Sequence, residues 1–232
     1  MRNIVSYFPK DAFSLAGNLF RREGGVTFSG GGNASSKAML LSDIFRNNGL
    51  ENTLWVVSSV NDIGIMEKAL ASWGERPVFT YRKRADDEML SFASSTEFFR
   101  VKNMELVEFV SRIVSNKDAI FITDFMSLLQ DFPDSKKILE EKISLKTGEK
   151  FDTVDFIESI VSIGYEVSDE STLRKGRYIR AGDSILISPI NLESVVRIEF
   201  GFSELEKINF VDPADYSKNT EDVKSVDIFP LE

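Results

Sequence analysis

Short runs rich in β-branched and aromatic residues, separated by helix-length amphipathic stretches, limit what this chain can fold into. Residues 53–59 (Thr-Leu-Trp-Val-Val-Ser-Ser), 78–81 and 119–122 read as buried strands. Residues 35–46 carry Met39, Leu40, Ile44 and Phe45 at helical spacing, and residues 62–73 form a second helical pattern stopped by Gly74. A further helix over 13–22 and a strand over 26–28 complete a β-α-β-α-β order. That order predicts a parallel sheet covered by helices. Residues 82–102 show no clear period, and residues 104–114 return to a helix with Leu106, Val107, Val110, Ile113 and Val114 on one side.

The pattern changes after Phe132-Pro133-Asp134. Residues 153–163 predict a helix with Val154, Ile157, Ile160 and Val161 facing inward. Short strands follow at 177–180, 184–188, 195–200 and 224–228. In residues 195–200, Val196, Ile198 and Phe200 alternate with Arg197 and Glu199, as in a half-buried antiparallel strand. Gly182-Asp183 between two strand runs is a tight hairpin signal. The reading is therefore an α/β domain over 1–131 and a smaller α+β domain over 132–232, without internal repeats.

Composition narrows the chemistry. The 232 residues include no Cys and no His. Disulfides, thiolate catalysis and cysteine-based metal sites are excluded, and so is the commonest general base. No apolar run approaches the roughly 20 residues of a membrane span. Nor does the N-terminus resemble a signal peptide. A cytoplasmic location with no membrane association is expected. The net charge of −9 disfavours a phosphate backbone. The tight basic cluster Arg82-Lys83-Arg84 runs directly into Asp86-Asp87-Glu88 and reads as a solvated loop, so DNA binding by this chain alone should be weak.

Residues 31–38, Gly-Gly-Asn-Ala-Ser-Ser-Lys-Ala, approach a phosphate-binding loop without completing one. Such a loop needs Gly, four residues, then Gly-Lys-Ser/Thr. Gly31 and Lys37 are correctly spaced, but Ser36 replaces the second Gly and Ala38 replaces the hydroxyl residue that holds magnesium. A strand precedes this loop and a helix follows, with Ser35 or Ser36 placed to cap it. The reading is an eroded loop on a nucleotide-binding fold, with no cofactor, no metal and no catalytic residue. Asp124, at the end of an apolar strand, could hold magnesium, but reads better as a cap on the next helix.

One stretch carries a family resemblance. Gly164-Tyr165, Lys175-Gly176-Arg177-Tyr178, Gly182-Asp183, Ile187-Ser188-Pro189, Arg197-Ile198-Glu199-Phe200 and Glu204-Leu205-Glu206 follow one another with the spacing of a docking domain. In order and spacing they resemble the UvrA-interaction domain of the excinuclease protein UvrB and of the bacterial transcription–repair coupling factor. The resemblance is strongest over 119–229 and faint before 13. It implies that residues 1–131 descend from a helicase-type domain. The eroded loop favours the coupling-factor module over UvrB, which keeps a working loop. The chain then reads as the front segment of a longer protein, whose whole would be an ATP-dependent DNA translocase, or as a stand-alone remnant.

The resemblance also implies that arginines on exposed strands contact UvrA. With Gly176 and Gly182-Asp183 as anchors, those positions fall on Ala181, on Ile179 and near Ser168, and a family Phe falls on Ser188. The cations that remain are Arg174, Lys175, Arg177 and Arg180. Arg177 shares strand parity with 179 and 181, whereas Arg180 should face the other way. The expected function is a non-catalytic docking module in nucleotide excision repair, with UvrA affinity weakened or redirected. The alternatives are an autoinhibitory or architectural module contacting its parent's other domains, and a small phosphate- or nucleotide-binding ATPase using Lys37 and Asp124.

Overall fold

The structure, a computed structural model, describes residues 32–48, 51–74, 76–83, 96–169, 172–202 and 204–231. The helix expected over 13–22 and the strand over 26–28 lie outside the described residues. The chain divides into two compact units, Met1–Asp87 with Asn116–Gln130 and Glu88–Ser115 with Asp131–Glu232.

In the first unit, helix α1 (Ala34–Asn48) leads to strand β1 (Thr53–Val57), helix α2 (Val60–Trp73) and strand β2 (Val78–Thr80). Strand β3 (Ile120–Asp124) lies between β1 and β2, parallel to both. The central strand is buried at every position, as a parallel strand between neighbours should be. Ala38 and Phe45 of α1 join Ile63, Met66 and Leu70 of α2 against Val57, Ile120 and Ile122. The expected cap on α1 is corrected. Asn33, not Ser35 or Ser36, supplies the oxygen, its Oδ1 accepting from the Ser36 backbone N–H at 3.0 Å. Ser35 Oγ instead accepts from Trp73 Nε1 at 2.8 Å.

Helix α3 (Thr96–Ser115) begins the described part of the second unit. Its Val107 and Val110 sit in that unit's core, although the sequence reading assigns this helix to the first domain. After it come α4 (Ser135–Glu140), β4 (Ile143–Lys146), α5 (Thr153–Ser162), β5 (Glu166–Val167), β6 (Arg177–Ala181), β7 (Ser184–Ile187), β8 (Val195–Phe200), β9 (Leu205–Asp212), β10 (Asp215–Val223) and β11 (Ser225–Ile228). Six strands form one sheet in the order β10-β9-β8-β7-β6-β5, and β11 pairs antiparallel with β4. The hairpin at Gly182-Asp183 is present, with Ala181 opposite Ser184 and Gly182 at φ 65°.

Helix α5 is turned partly from its expected orientation: Ile157 and Ile160 pack on the core as expected, but Val154 and Val161 do not. Val154 and Val161 are 56% and 50% exposed, while Phe156 and Ile160 are fully buried. At 100° per residue Phe156 and Ile160 lie within one stripe and Val154 and Val161 lie opposite. Phe156 decides the orientation, because its ring packs against Phe151 and Phe200 with centroids 6.1 and 5.5 Å away. Asp152 starts the helix by accepting from Val154 and Asp155 backbone N–H groups at 2.7 and 2.9 Å.

One carboxylate ties the smaller sheet together. Lys142 Nζ and Ser144 Oγ both donate to the Asp227 carboxylate, at 2.6 and 2.7 Å. Burial pushes that carboxyl up, but the Lys142 and Ser144 hydrogen bonds and the Lys142 charge together hold it below the usual carboxylate range.

Two outcomes are expected. Phe156→Ala should lower the unfolding free energy by about 3–5 kcal/mol, and Val161→Ala by less than about 0.5 kcal/mol, in urea titrations. Because the folded state depresses the Asp227 pKa, its contribution is complete above the unfolded value and fades as pH falls through the folded one. Asp227→Asn should therefore cost about 0.5 kcal/mol at neutral pH and progressively less in acid, measured by urea melts across the acidic range.

Candidate functional site

Strand parity divides the side chains of the six-stranded sheet between two faces. Tyr178, Ile185, Ile187, Val196, Ile198, Phe200 and Ile208 point inward and pack with Phe156, Ile160 and Tyr165. Tyr165 is locked there. Its hydroxyl donates to the Phe229 carbonyl at 3.0 Å and accepts from the Ile190 N–H at 3.2 Å, and burial pushes its pKa up. The outer face carries Ile179, Leu186, Arg197, Asn209 and Asp222 as one cross-strand row.

The cations singled out from sequence fall into different environments. Arg177 lies on the outer face opposite Glu166 of β5, and the two form an ion pair. Ser188 is beside it, its N–H donating to the Arg177 carbonyl at 3.0 Å. Ala181 shares that face at the hairpin end, exposed. Arg180 has the opposite parity, as expected, and its Nε reaches the Gly182 carbonyl at 3.4 Å. Arg174 is exposed in the turn before β6. Lys175 is turned inward, its Nζ 2.5 Å from Glu108 Oε1 and 3.7 Å from Glu193. Arg112 bridges the same two carboxylates. Burial raises the Glu193 pKa, but the Arg112 hydrogen bond and the charges of Lys175 and Arg112 outweigh it, and the net shift is downward. Arg177 and Ala181 thus share one sheet face, Ser188 beside Arg177 is buried, and Lys175 and Arg180 are turned away from that face.

Two outer-face residues escape the sequence reading as site residues. Arg197, half-buried on β8, donates to the Tyr216 carbonyl and to Asn219 Oδ1, the latter at 3.3 Å. Tyr216 belongs to a bulge in the edge strand. From Asp215, opposite Asp212, to Glu221, opposite Phe210, β10 runs six steps against two on β9. Tyr216 packs against the outer cluster of Leu173, Leu186, Val195 and Val211. Its hydroxyl accepts from the Leu173 N–H at 2.5 Å. Asn209 beneath is fully buried and donates to Asp222, while its Oδ1 has no partner among the described residues. The parity of Arg197 is readable in the sequence; the Tyr216 bulge gives no periodic signal.

In the first unit, Ser36, Lys37 and Ala38 lie in the opening turns of α1, while Gly31 lies outside the described residues. Ser36 Oγ donates to Asn33 at 3.2 Å. Lys37 is exposed and Ala38 is wholly buried in the core. Asp124 is buried, and its carboxylate accepts from the Met126 and Ser127 N–H groups at 3.0 and 3.2 Å and from Ser127 Oγ at 2.5 Å. The N-cap position of the 3₁₀ turn Met126–Leu128 is Phe125, not Asp124; Asp124, one residue earlier, holds the start of that turn through these hydrogen bonds. Lys83 N–H donates to Ser127 Oγ at 2.7 Å, and Arg84 lies outside the described residues. Among the described residues no group of acidic side chains could hold a metal ion, and no helix is long and apolar enough to cross a membrane.

Comparison with known proteins bears on the second unit. Residues 143–232 match the UvrB interaction domain family, and the match opens at the first residue of β4. The chain is 25% identical over 126 residues to the transcription-repair-coupling factor of Borreliella burgdorferi, covering 54% of this chain and 11% of that protein. It is 32% identical over 111 residues to UvrABC system protein B of Methanococcus maripaludis, covering 48% and 17%. To the same protein of Microcystis aeruginosa it is 35% identical over 75 residues, covering 32% and 11%. Residues 143–232 are thus similar to the UvrB interaction domain, and the chain shares stretches of sequence with UvrB proteins and with a transcription-repair-coupling factor. The matched stretches span between about a tenth and a sixth of those relatives.

If Asp124 only holds the turn Met126–Leu128, Asp124→Ala should lower stability by about 1–3 kcal/mol, and excess magnesium should leave the melting temperature of the unaltered chain unchanged. Differential scanning calorimetry with and without magnesium checks both.

Proposed function

We propose that this chain is a non-catalytic docking module of the transcription-coupled branch of nucleotide excision repair, and that it presents the outer face of its six-stranded sheet to UvrA. The observation that carries this reading is the family match over residues 143–232, which spans every strand of that sheet. With one face committed to the core, the other carries half-buried Arg177, Ile179 and Arg197 beside a buried cluster of Leu173, Leu186, Val195 and Val211 that Tyr216 packs against. Arg and aromatic side chains are enriched at protein interfaces. The eroded loop read at residues 31–38 favours a module of a coupling factor over a UvrB, and the parent would be the ATP-dependent translocase. We read residues 1–131 as the remnant of a helicase-type domain and 132–232 as the interaction domain.

The first unit supports the non-catalytic reading. We take residues 31–38 as a degenerate phosphate loop. Ala38 has no oxygen to offer magnesium and is buried. The Ser36 hydroxyl is bonded to Asn33, and the Asp124 carboxylate to three donors of the turn that follows it. The acidic balance argues for little DNA affinity in this chain by itself.

Titration of the chain with UvrA from the same source tests the proposal. Arg177→Ala should weaken binding about ten-fold, the loss of one charge-assisted hydrogen bond. Binding indifferent to both Arg177→Ala and Arg197→Ala would place the interface elsewhere. No saturable binding of magnesium–ATP is expected; saturable binding abolished by Lys37→Ala would restore the nucleotide-binding alternative.

A further inference from the structure

We propose that the β10 bulge is a strap closing part of the outer sheet face, and that UvrA engages that face fully when Tyr216 lifts. The proposal rests on the docking reading above and adds a regulation to the same site.

Four extra residues in an edge strand are more than twist alone requires. They bring Tyr216 back over the sheet, against Leu173, Leu186, Val195 and Val211. Between the ladder pairs at Asp215 and Asn219, side-chain fastenings hold the strap. The Tyr216 carbonyl and Asn219 Oδ1 hold the Arg197 guanidinium, and the Tyr216 hydroxyl receives the Leu173 N–H. Ser217 to Asp222 are exposed, so little apolar packing holds this part of the strand. Lifting the strap would uncover an apolar patch and release Tyr216 and one arginine, and Tyr and Arg are the side chains enriched in binding hot spots. Affinity for a partner that needs the open form scales with the fraction open. Each fastening that is removed should therefore raise it.

Two variants loosen the strap by different routes. Tyr216→Phe keeps the ring and removes the acceptor for Leu173. Asn219→Ala removes one bond to Arg197 from an exposed position. Both should speed hydrogen exchange at the Leu173 amide by about three- to ten-fold, the worth of one hydrogen bond. Both should also increase fluorescence of a dye that binds apolar surface, and tighten UvrA binding by a similar factor. Unchanged exchange and dye binding in both variants would overturn the strap. So would faster exchange with UvrA affinity unchanged or reduced, since the bulge would then only blunt a sheet edge. If the unaltered chain binds no UvrA, the docking reading fails and this proposal with it. That outcome differs from failure of the strap alone, where the unaltered chain binds.

Discussion

Alternation along β8, paired in register with β7, is the constraint on which the second unit depends. Ile185, Ile187, Val196, Ile198 and Phe200 are all buried on one side. A one-residue slip of β8 would turn Val196, Ile198 and Phe200 to the outer face and Arg197 and Glu199 into the core. Register is thereby fixed, and with it the identity of every residue on the opposite face. Phe156, Ile160 and Tyr165 complete the core. The outer face is the by-product of that commitment, and its side chains are free to serve recognition.

The charges of this face are tethered. Arg177 pairs with Glu166, and Arg197 is held by Tyr216 and Asn219. Lys175 is absorbed into the Glu108, Arg112 and Glu193 cluster. A tethered arginine loses less side-chain entropy on binding but must exchange one partner for another. Such a surface suits a regulated contact better than a permanent one. The first unit follows the same pattern. Hydroxyls and a carboxylate that a nucleotide site would need are bonded to their own loops.

Much of the fold was legible because periodicity reports burial. The three parallel strands, helix α2 with its stop at Gly74, the Gly182 hairpin and β8 all carried their period openly. Strands β9 and β10 did not. A register irregularity between Glu199 and Phe200 breaks the alternation of β9. Six of the nine residues of β10 are exposed, so no apolar repeat marks it. Helix α5 misled because Val154 and Val161 are apolar yet outward, and Phe156 outweighs them by packing on Phe151 and Phe200. The site was legible in part. The parity argument put Arg177 and Arg180 on opposite faces, and the structure does so. The inward turn of Lys175 depends on Glu108 and Glu193, which are distant in sequence, and Tyr216 depends on a bulge; neither leaves a local pattern.

The claim at the centre of this account is that the outer sheet face is where a protein partner lands. Hydrogen–deuterium exchange of the chain with and without saturating UvrA would map that contact directly. The account requires slowed exchange concentrated in β6, β7, β8 and the turn from Leu173 to Gly176, with the first unit unchanged. Protection confined to the first unit or to α5, with those strands untouched, would contradict it.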